Sequence, residues 1–288
     1  DLNYGIDGDA HAGNWHRQVS LLSYEKVKEF NEKGGNVQDG AFGENLLVEG
    51  MDFRKMPVGT RLGCGETILE ITQIGKECHS HCTIFHRVGD CIMPREGVFA
   101  KVVRGGIIRP GDVMRVMEND PNRPLHAAVI TVSDKGYAGE REDLSGPAAA
   151  KILEEHGYEV VETMIVPDEP KMLKRQLIRL ADSRQVDLIL TSGGTGFSMR
   201  DQTPEATVAV ADRMVPGIAE AIRSGSMEIT KRAMLGRGVS VLRKRSLIVN
   251  LPGSPKAVQE SLSFIIDTLE HGLRVLRGEA FECAGKED

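Results

Sequence analysis

Residues 126–133 read His-Ala-Ala-Val-Ile-Thr-Val-Ser, an apolar run without alternation. A strand with one face in water alternates apolar and polar residues. A continuous run is buried on both faces, as in a parallel sheet covered by helices on either side. Helical spacing follows over 145–156 and stops at Gly157. The alternation then repeats: YEVVETMIV (158–166), a helix over about 169–183, DLILTS (187–192), a helix opening at Thr203-Pro204-Glu205, RSLIVNL (245–251) and one long helix over about 254–276. This series predicts a doubly wound α/β domain with its ligands at the carboxyl ends of the strands.

The texture before residue 118 differs. QVSLLS, ENLLVEG, TILEITQIG, VFAKVVRGG and DVMRVM are short β-branched runs punctuated by Gly and Pro, with one helix expected from Ser23 to about Lys33. They predict a small β-rich barrel or sandwich. The polar segment 119–124, carrying Pro121 and Pro124, separates the halves, so the expected domains are 1–118 and 125–288. At 288 residues the chain is long enough for two cores. No apolar run approaches the length of a membrane span. The net charge of −6, without a Lys/Arg stripe, argues against a nucleic-acid partner. Five unevenly placed cysteines fit reduced thiols, hence a cytoplasmic location. The sequence starts mid-pattern without an initiator Met, which points to residues upstream.

The strand DLILTS runs into Ser192-Gly193-Gly194-Thr195-Gly196, where glycines allow backbone N–H groups to approach an anion closely. It is not a P-loop, because no Lys-Ser/Thr follows. Nor is it the dinucleotide fingerprint, because Met199 stands where the third glycine belongs. Thr203, Pro204 and Glu205 make a helix start that favours negative charge. An acid such as Asp201 facing phosphate is repulsive unless a divalent cation lies between, and Asp168 in VPDEP can reach the same metal. Two further carboxyl-edge loops carry Ser133-Asp134-Lys135 and Pro252-Gly253-Ser254-Pro255-Lys256. Lys135, Arg200 and Lys256 are the candidate cations, Arg200 foremost. As structure alone, the glycines serve tight turns and each Asp a solvated turn or cap.

VSD, VPDE, TSGGTG, RDQTPEA, PGIAEAIR and LPGSPKAV, over about 125–280, resemble the molybdopterin adenylyltransferase family (MogA/MoaB-like) of molybdenum cofactor biosynthesis. The resemblance implies a molybdopterin-binding fold that joins molybdopterin to AMP from Mg-ATP. It also implies that Asp168 and Asp201 take the family's functional acids, that the glycine loop holds the pterin or its phosphate, and that the protein is a homotrimer; with the residue reading above, Asp168, Asp201 and Arg200 are the expected catalytic residues and Asp168 and Asp201 the expected metal ligands. Gly236 departs from the family's common Ser. Because the substrate phosphate, with a second pKa near 6, is already mostly ionised at neutral pH, no general base is needed. Charge neutralisation and in-line placement are.

GKECHSHC (75–82) is the densest reactive cluster, but its crowding lacks the paired spacing of a zinc knuckle. GIDGDAHAG, RQVSLL, GAFGENLLVEG, this cysteine segment and GVFAKVVRGGIIRPGD, over about 4–116, resemble the MOSC domain of molybdenum cofactor sulfurases. That resemblance implies a β-rich barrel-like domain that binds the cofactor or carries sulfur on Cys78, with Cys82 and Cys91 in reserve. His79, His81 and Lys76 are placed to favour a thiolate; His11 and His16 either line the same pocket or serve turns and caps, the commoner role, and Asp7 and Asp9 suit turns. The expectation is therefore a Mg-ATP-dependent molybdopterin adenylyltransferase fused to a MOSC domain, with other cofactor-biosynthesis enzymes as further partners. The alternatives are a non-catalytic molybdopterin carrier, and a molybdate-inserting relative whose additional domains the first half does not resemble.

Overall fold

The short β-branched runs of the first half pair into one sheet, and the continuous runs of the second half into another. The computed structural model describes residues 1–78, 83–118, 120 and 122–279 and divides into two units, Asp1–Arg123 and Pro124–Asp288.

The first unit comprises β1 (Val19–Ser23), α1 (Tyr24–Glu32), β2 (Leu46–Val48), β3 (Arg61–Cys64), β4 (Thr67–Ile74), α2 (Thr83–Val88), α3 (Met93–Glu96), β5 (Val98–Arg104) and β6 (Met114–Val116). Strand order is β2-β1-β5-β4-β3-β6, antiparallel except for the β1–β2 pair. Val19, Leu21, Val98 and Ala100 enter one core, with Leu62, Leu69 and Ile71. The alternate residues Leu22 and Phe99 face the other way, where α1 supplies Val27 and Phe30. Register shifts between Ile68 and Leu69 and between Ile71 and Gln73 bend the β4–β5 ladder, as extra residues in one strand do. The sheet curls into a half-barrel, so that Leu46 of β2 and Met114 of β6, its two end strands, line one groove of about 1070 Å³.

The second unit contains β7 (His126–Val132), α4 (Asp134–Tyr137), α5 (Ser145–Glu155), β8 (Glu159–Val166), α6 (Pro170–Ile178), β9 (Leu188–Ser192), α7 (Thr203–Val208), β10 (Arg213–Met214), α8 (Pro216–Ile229), β11 (Ser240–Arg243), β12 (Ser246–Leu251), α9 (Pro255–Ser263) and α10 (Ile266–Arg277). β12, β9, β7 and β8 are parallel, in that order, and β11 and β10 extend the sheet antiparallel beyond β12. All seven β7 residues are buried. Ala127 and Val129 face α5, α9 and α10, and Ala128 and Ile130 face α6 and α7, so both faces are covered. Fully burying side chains such as Ile130 or Ile248 contributes about 2–3 kcal/mol each.

Three details differ from the pattern in the sequence. The single helix expected over 254–276 breaks at Phe264-Ile265. Phe264 packs on Gly225 of α8, where a Cβ would come within 2.8 Å of its ring, while Ile265 and Ile266 enter the sheet core. Phe264 stays 36% exposed on the α8 side, whereas Ile265 and Ile266 are each 4% exposed in the core. The α/β alternation also does not foretell the β11–β12 hairpin, whose turn residue Lys244 has φ +50°. Lastly, α7 starts at Thr203 itself, which puts Pro204 in the second helical position.

Candidate active site

From β7 the chain passes to β8 on one side and returns to β9 on the other, so the sheet's topological switch lies between β7 and β9. Crevices of this kind, outside the carboxyl ends of parallel strands, are where open α/β sheets bind ligands. The Ser133-Asp134 and Ser192-Gly193-Gly194 loops emerge there.

The glycines are required by close approach. Gly193 has φ +104°, and a Cβ there would lie 2.4 Å from the Val132 carbonyl oxygen. Gly194 has φ +64°, and its Cβ would lie 2.3 Å from Thr203 Oγ1 and 3.3 Å from Asp168 Oδ1. At Gly196 a Cβ would come within 2.9 Å of Asp201 Oδ2. Both predicted acids thus lie against the glycine loop. The Gly193 N–H donates to the Leu251 carbonyl (3.2 Å) and the Thr203 N–H to the Gly194 carbonyl (3.1 Å), tying the β12 end and the start of α7 to the turn. Thr203 is 1% exposed, and its hydroxyl has no hydrogen-bond partner.

Asp134 and Asp168 are joined reciprocally. The Asp134 N–H donates to Asp168 Oδ2 and the Asp168 N–H to Asp134 Oδ1, both at 2.9 Å. Arg200 does not stand open as a cation awaiting an anion. Its Nη2 donates to both Asp134 oxygens at 2.8 Å, and its Nη1 donates to Glu169 Oε1 at 2.8 Å. The Arg200 guanidinium holds the Asp134 carboxyl below the usual carboxylate range. Burial, joined by the charges of Asp134 and Asp201, pushes Asp168 the other way. Three acids therefore meet at the strand ends, one with its ionised form disfavoured. Among the described residues no three His, Cys, Asp or Glu side chains form a complete cage for a metal.

The remaining predicted residues divide. Ser192 Oγ donates to the Pro252 carbonyl (3.0 Å), and Ser133 and Ser254 cap α4 and α9 by accepting from the Gly136 and Ala257 N–H groups. Gly253 sits beside the turn, a Cβ there lying 3.2 Å from the Gly193 Cα. Lys256 on α9 is 82% exposed, with Glu260 at 3.7 Å. Lys135 is exposed. Behind the loop, a cavity of about 340 Å³ is bounded by Thr195, Gly196, Gly236, Asn250, Pro252 and Ser261. Ser261 is fully buried, and its hydroxyl lacks a hydrogen-bond partner.

Sequence reasoning passed over two residues here. Asn250 Nδ2 donates to Thr191 Oγ1 (2.8 Å) and Thr207 Oγ1 (2.9 Å), tying β12 to β9 and α7. Its signal was an amide inside an otherwise apolar strand. Arg237 donates from Nε to the Gly196 carbonyl at 2.7 Å, and from its other nitrogens to Glu205 and to the Asp201 carbonyl. It gave no local signal.

In the first unit Cys78 is exposed, whereas Cys91 packs with Leu22, Phe30 and Phe99. His79, His81, Cys82 and Cys283 lie outside the described residues. Asp9 accepts from the His11 N–H at 2.7 Å, a turn contact, and His16 Nε2 meets Gln73 Oε1 at 2.9 Å. Burial raises the pKa of Cys64.

Residues 128–271 match the family described as a probable molybdopterin binding domain, and residues 7–115 match the MOSC domain. The chain is 38% identical over 164 residues to a protein named molybdopterin adenylyltransferase from Helicobacter pylori (strain ATCC 700392 / 26695), spanning 56% of this chain and 93% of that one. It is 40% identical over 146 residues to the Escherichia coli K12 protein of the same name, spanning 50% and 74%. Among solved structures, the molybdopterin biosynthesis enzyme MoaB from Thermus thermophilus superposes with a TM-score of 0.52 at 46% identity, over 55% of this chain and 99% of that one.

Proposed function

The chain belongs, over residues 128–271, to the probable molybdopterin binding domain family, and from that premise we propose how its second unit carries out molybdopterin adenylyltransfer in molybdenum cofactor biosynthesis. The single observation that carries the reading is the meeting of Asp134, Asp168, Asp201 and Arg200 with a glycine turn at the sheet's switch point. The 340 Å³ cavity takes the pterin, and its orphaned Ser261 hydroxyl suits a ligand with polar edges. The substrate's terminal phosphate then reaches the glycine turn, within range of the Asp168–Asp201 edge.

Mg-ATP is the second substrate in this reading. Asp168 and Asp201 fit Mg²⁺, because both lie against the same loop and repel each other, and Mg²⁺ is commonly held by one or two carboxylates completed by phosphate oxygens. Once bound, it neutralises phosphate charge and assists departure of pyrophosphate. A molybdopterin phosphate oxygen attacks the α-phosphorus of ATP. A new P–O–P bond forms, the bond to the β-phosphate oxygen breaks, and pyrophosphate leaves with the electron pair. No side chain has to remove a proton. Arg200 serves by exchanging its Asp134 and Glu169 partners for phosphate, a geometry its planar fork matches.

Incubation with molybdopterin and Mg-ATP is expected to release pyrophosphate and yield adenylylated pterin. No product, or equal product from Asp201→Ala, overturns the reading. Pterin binding by calorimetry with no response to Mg-ATP would mark a carrier instead.

The amino-terminal unit, residues 1–118, is read as a MOSC domain of barrel type. It is joined by 119–124 to the enzyme of 125–288, and it holds or sulfurates the cofactor; the exposure of Cys78 supports that role. Persulfide on Cys78, seen by mass spectrometry, is the test. A homotrimer is supported by α8, which buries none of its residues fully, and by the exposed Met214, Met234 and Leu235 near it. The thiols of Cys64 and Cys78, neither of them in a disulfide, support a cytoplasmic setting. No helix among the described residues is long and apolar enough to cross a membrane.

A further inference from the structure

The loop that carries Asp201 has little apolar anchorage. Phe197 and Met199 at its crest are 70% and 89% exposed. Its internal bonds, from the Ser198 N–H to Asp201 Oδ2 (3.0 Å) and from the Asp201 N–H to the Ser198 carbonyl (3.0 Å), give it shape, and Arg200 ties its crest to Asp134 and Glu169. One residue far along the chain reaches it at three places and the following helix α7 at a fourth. The Arg237 N–H donates to the Thr195 carbonyl (3.1 Å) and its Nε to the Gly196 carbonyl (2.7 Å). Its remaining guanidinium nitrogens donate to the Asp201 carbonyl and the Glu205 carboxylate. These acceptors lie on both sides of the exposed crest, so the guanidinium closes the loop like a staple.

The residues that flank Arg237 belong to the cavity wall. Arg232, Leu235, Gly236 and Gly238, on either side of it, line the 340 Å³ cavity, and Arg223 holds the same segment by donating to the Gly236 and Gly238 carbonyls at 3.2 Å. We propose that Arg237 is a positioning residue for adenylyl transfer, coupling occupation of the cavity to the placement of Asp201. A ligand filling the cavity fixes the 232–238 segment, and through one side chain it fixes the loop that bears the acid. Lysine cannot substitute, because a single ammonium does not present donors in the fixed fork that meets two carbonyls and a carboxylate at once.

The proposal rests on the adenylyltransfer reading above, and the test separates the two. With the full chain, steady-state kinetics are measured for wild type, Arg237→Lys, Arg237→Ala and Glu205→Gln. Both Arg237 variants are expected to lose about 10- to 100-fold in kcat, the scale of a small misplacement of reacting groups. The KM for molybdopterin should shift by less than about threefold, because the pterin's own contacts stay in place. Glu205→Gln, which keeps a neutral acceptor, should lose less than either. Free guanidinium at sub-denaturing concentration should restore part of the Arg237→Ala rate, and methylammonium should not. A kcat unchanged in Arg237→Ala overturns the proposal, as does a lost rate that guanidinium leaves lost while the melting temperature falls, the mark of a merely structural role. Should Arg237→Ala fail to fold, Arg237→Lys and Glu205→Gln decide, and wild-type kcat in both overturns it. Wild type without product sinks the adenylyltransfer reading instead.

Discussion

The two ends of the second unit's parallel sheet treat charge in opposite ways. At the amino end, Asp187 is sealed: Arg277 donates to both of its oxygens at 2.8 and 2.7 Å, and the His126 N–H adds a third bond at 2.8 Å. Its side chain is 5% exposed and that of Arg277 is 9%. The Arg277 guanidinium also donates to the Pro124 carbonyl, fastening the last helix to the start of the unit. At the carboxyl end, Asp134 and Arg200 make a pair of the same chemistry, but their side chains are 46% and 53% exposed, and Asp168 and Asp201 crowd beside them. A buried, fully bonded pair holds a fold in one arrangement, whereas a solvated pair contributes little and exchanges partners readily. On the proposed reading, the closed end serves the scaffold and the open end serves chemistry.

Four measurements can break or sharpen this contrast. Asp187→Ala should have the largest effect, about 3–5 kcal/mol of stability by denaturant unfolding, because it strands a buried guanidinium. The adenylyltransfer kcat of the protein that remains folded should be unaltered. A loss under about 1 kcal/mol would mean that the sealed end is no scaffold. Asp201→Ala should do the reverse, lowering kcat about 10²- to 10³-fold, the scale of removing one electrostatic contact to a transition state. Its unfolding midpoint should stay near that of wild type.

Asp168→Asn should separate activity from stability. The folded-state pKa of Asp168 is raised by burial, so the folded protein binds more protons than the unfolded one just above the ordinary carboxylate value of about 3.9. Stability therefore falls as pH rises through that window, and above it the ionised Asp168 opposes folding. The variant should melt higher than wild type at neutral pH and lose that advantage below the window, while its activity is poor. Coincident melting curves at every pH would refute the crowding of acids at this edge. The smallest effect is expected for Lys256→Ala. Lys256 itself is 82% exposed and does not line the cavity, although its partner Glu260 does, and solvated pairs are worth about 0–1 kcal/mol. A large fall in kcat would place Lys256 in the site after all.

Much of this was legible in the sequence because it depends on nearest neighbours in the chain. The unbroken run 126–132 reports burial on both faces, and all seven residues are buried. Ser192 to Gly196 reports a backbone that comes close to its surroundings, and Gly193 and Gly194 leave no room for a Cβ. What stayed hidden was set by contacts between distant segments. Arg200 was expected to face an anion but is held by Asp134, 66 residues away, and by Glu169, 31 away. Arg237 meets Gly196 across 41 residues, and no spacing rule links them. The break at Phe264 lies against Gly225 of another helix, and the curl of the first sheet accompanies register shifts in one ladder.

By itself, then, the sequence determined the parallel strands and several of the helices that flank them, that the second sheet is covered on both faces, and that glycines and acids gather at strand ends. These depend on side-chain periodicity and backbone freedom, which are local properties. Only the tertiary structure decided which cation meets which acid, because ion pairing follows distance in space. The same fold that seals Asp187 leaves Asp168 half in water, and the difference lies in what the returning helix α10 covers.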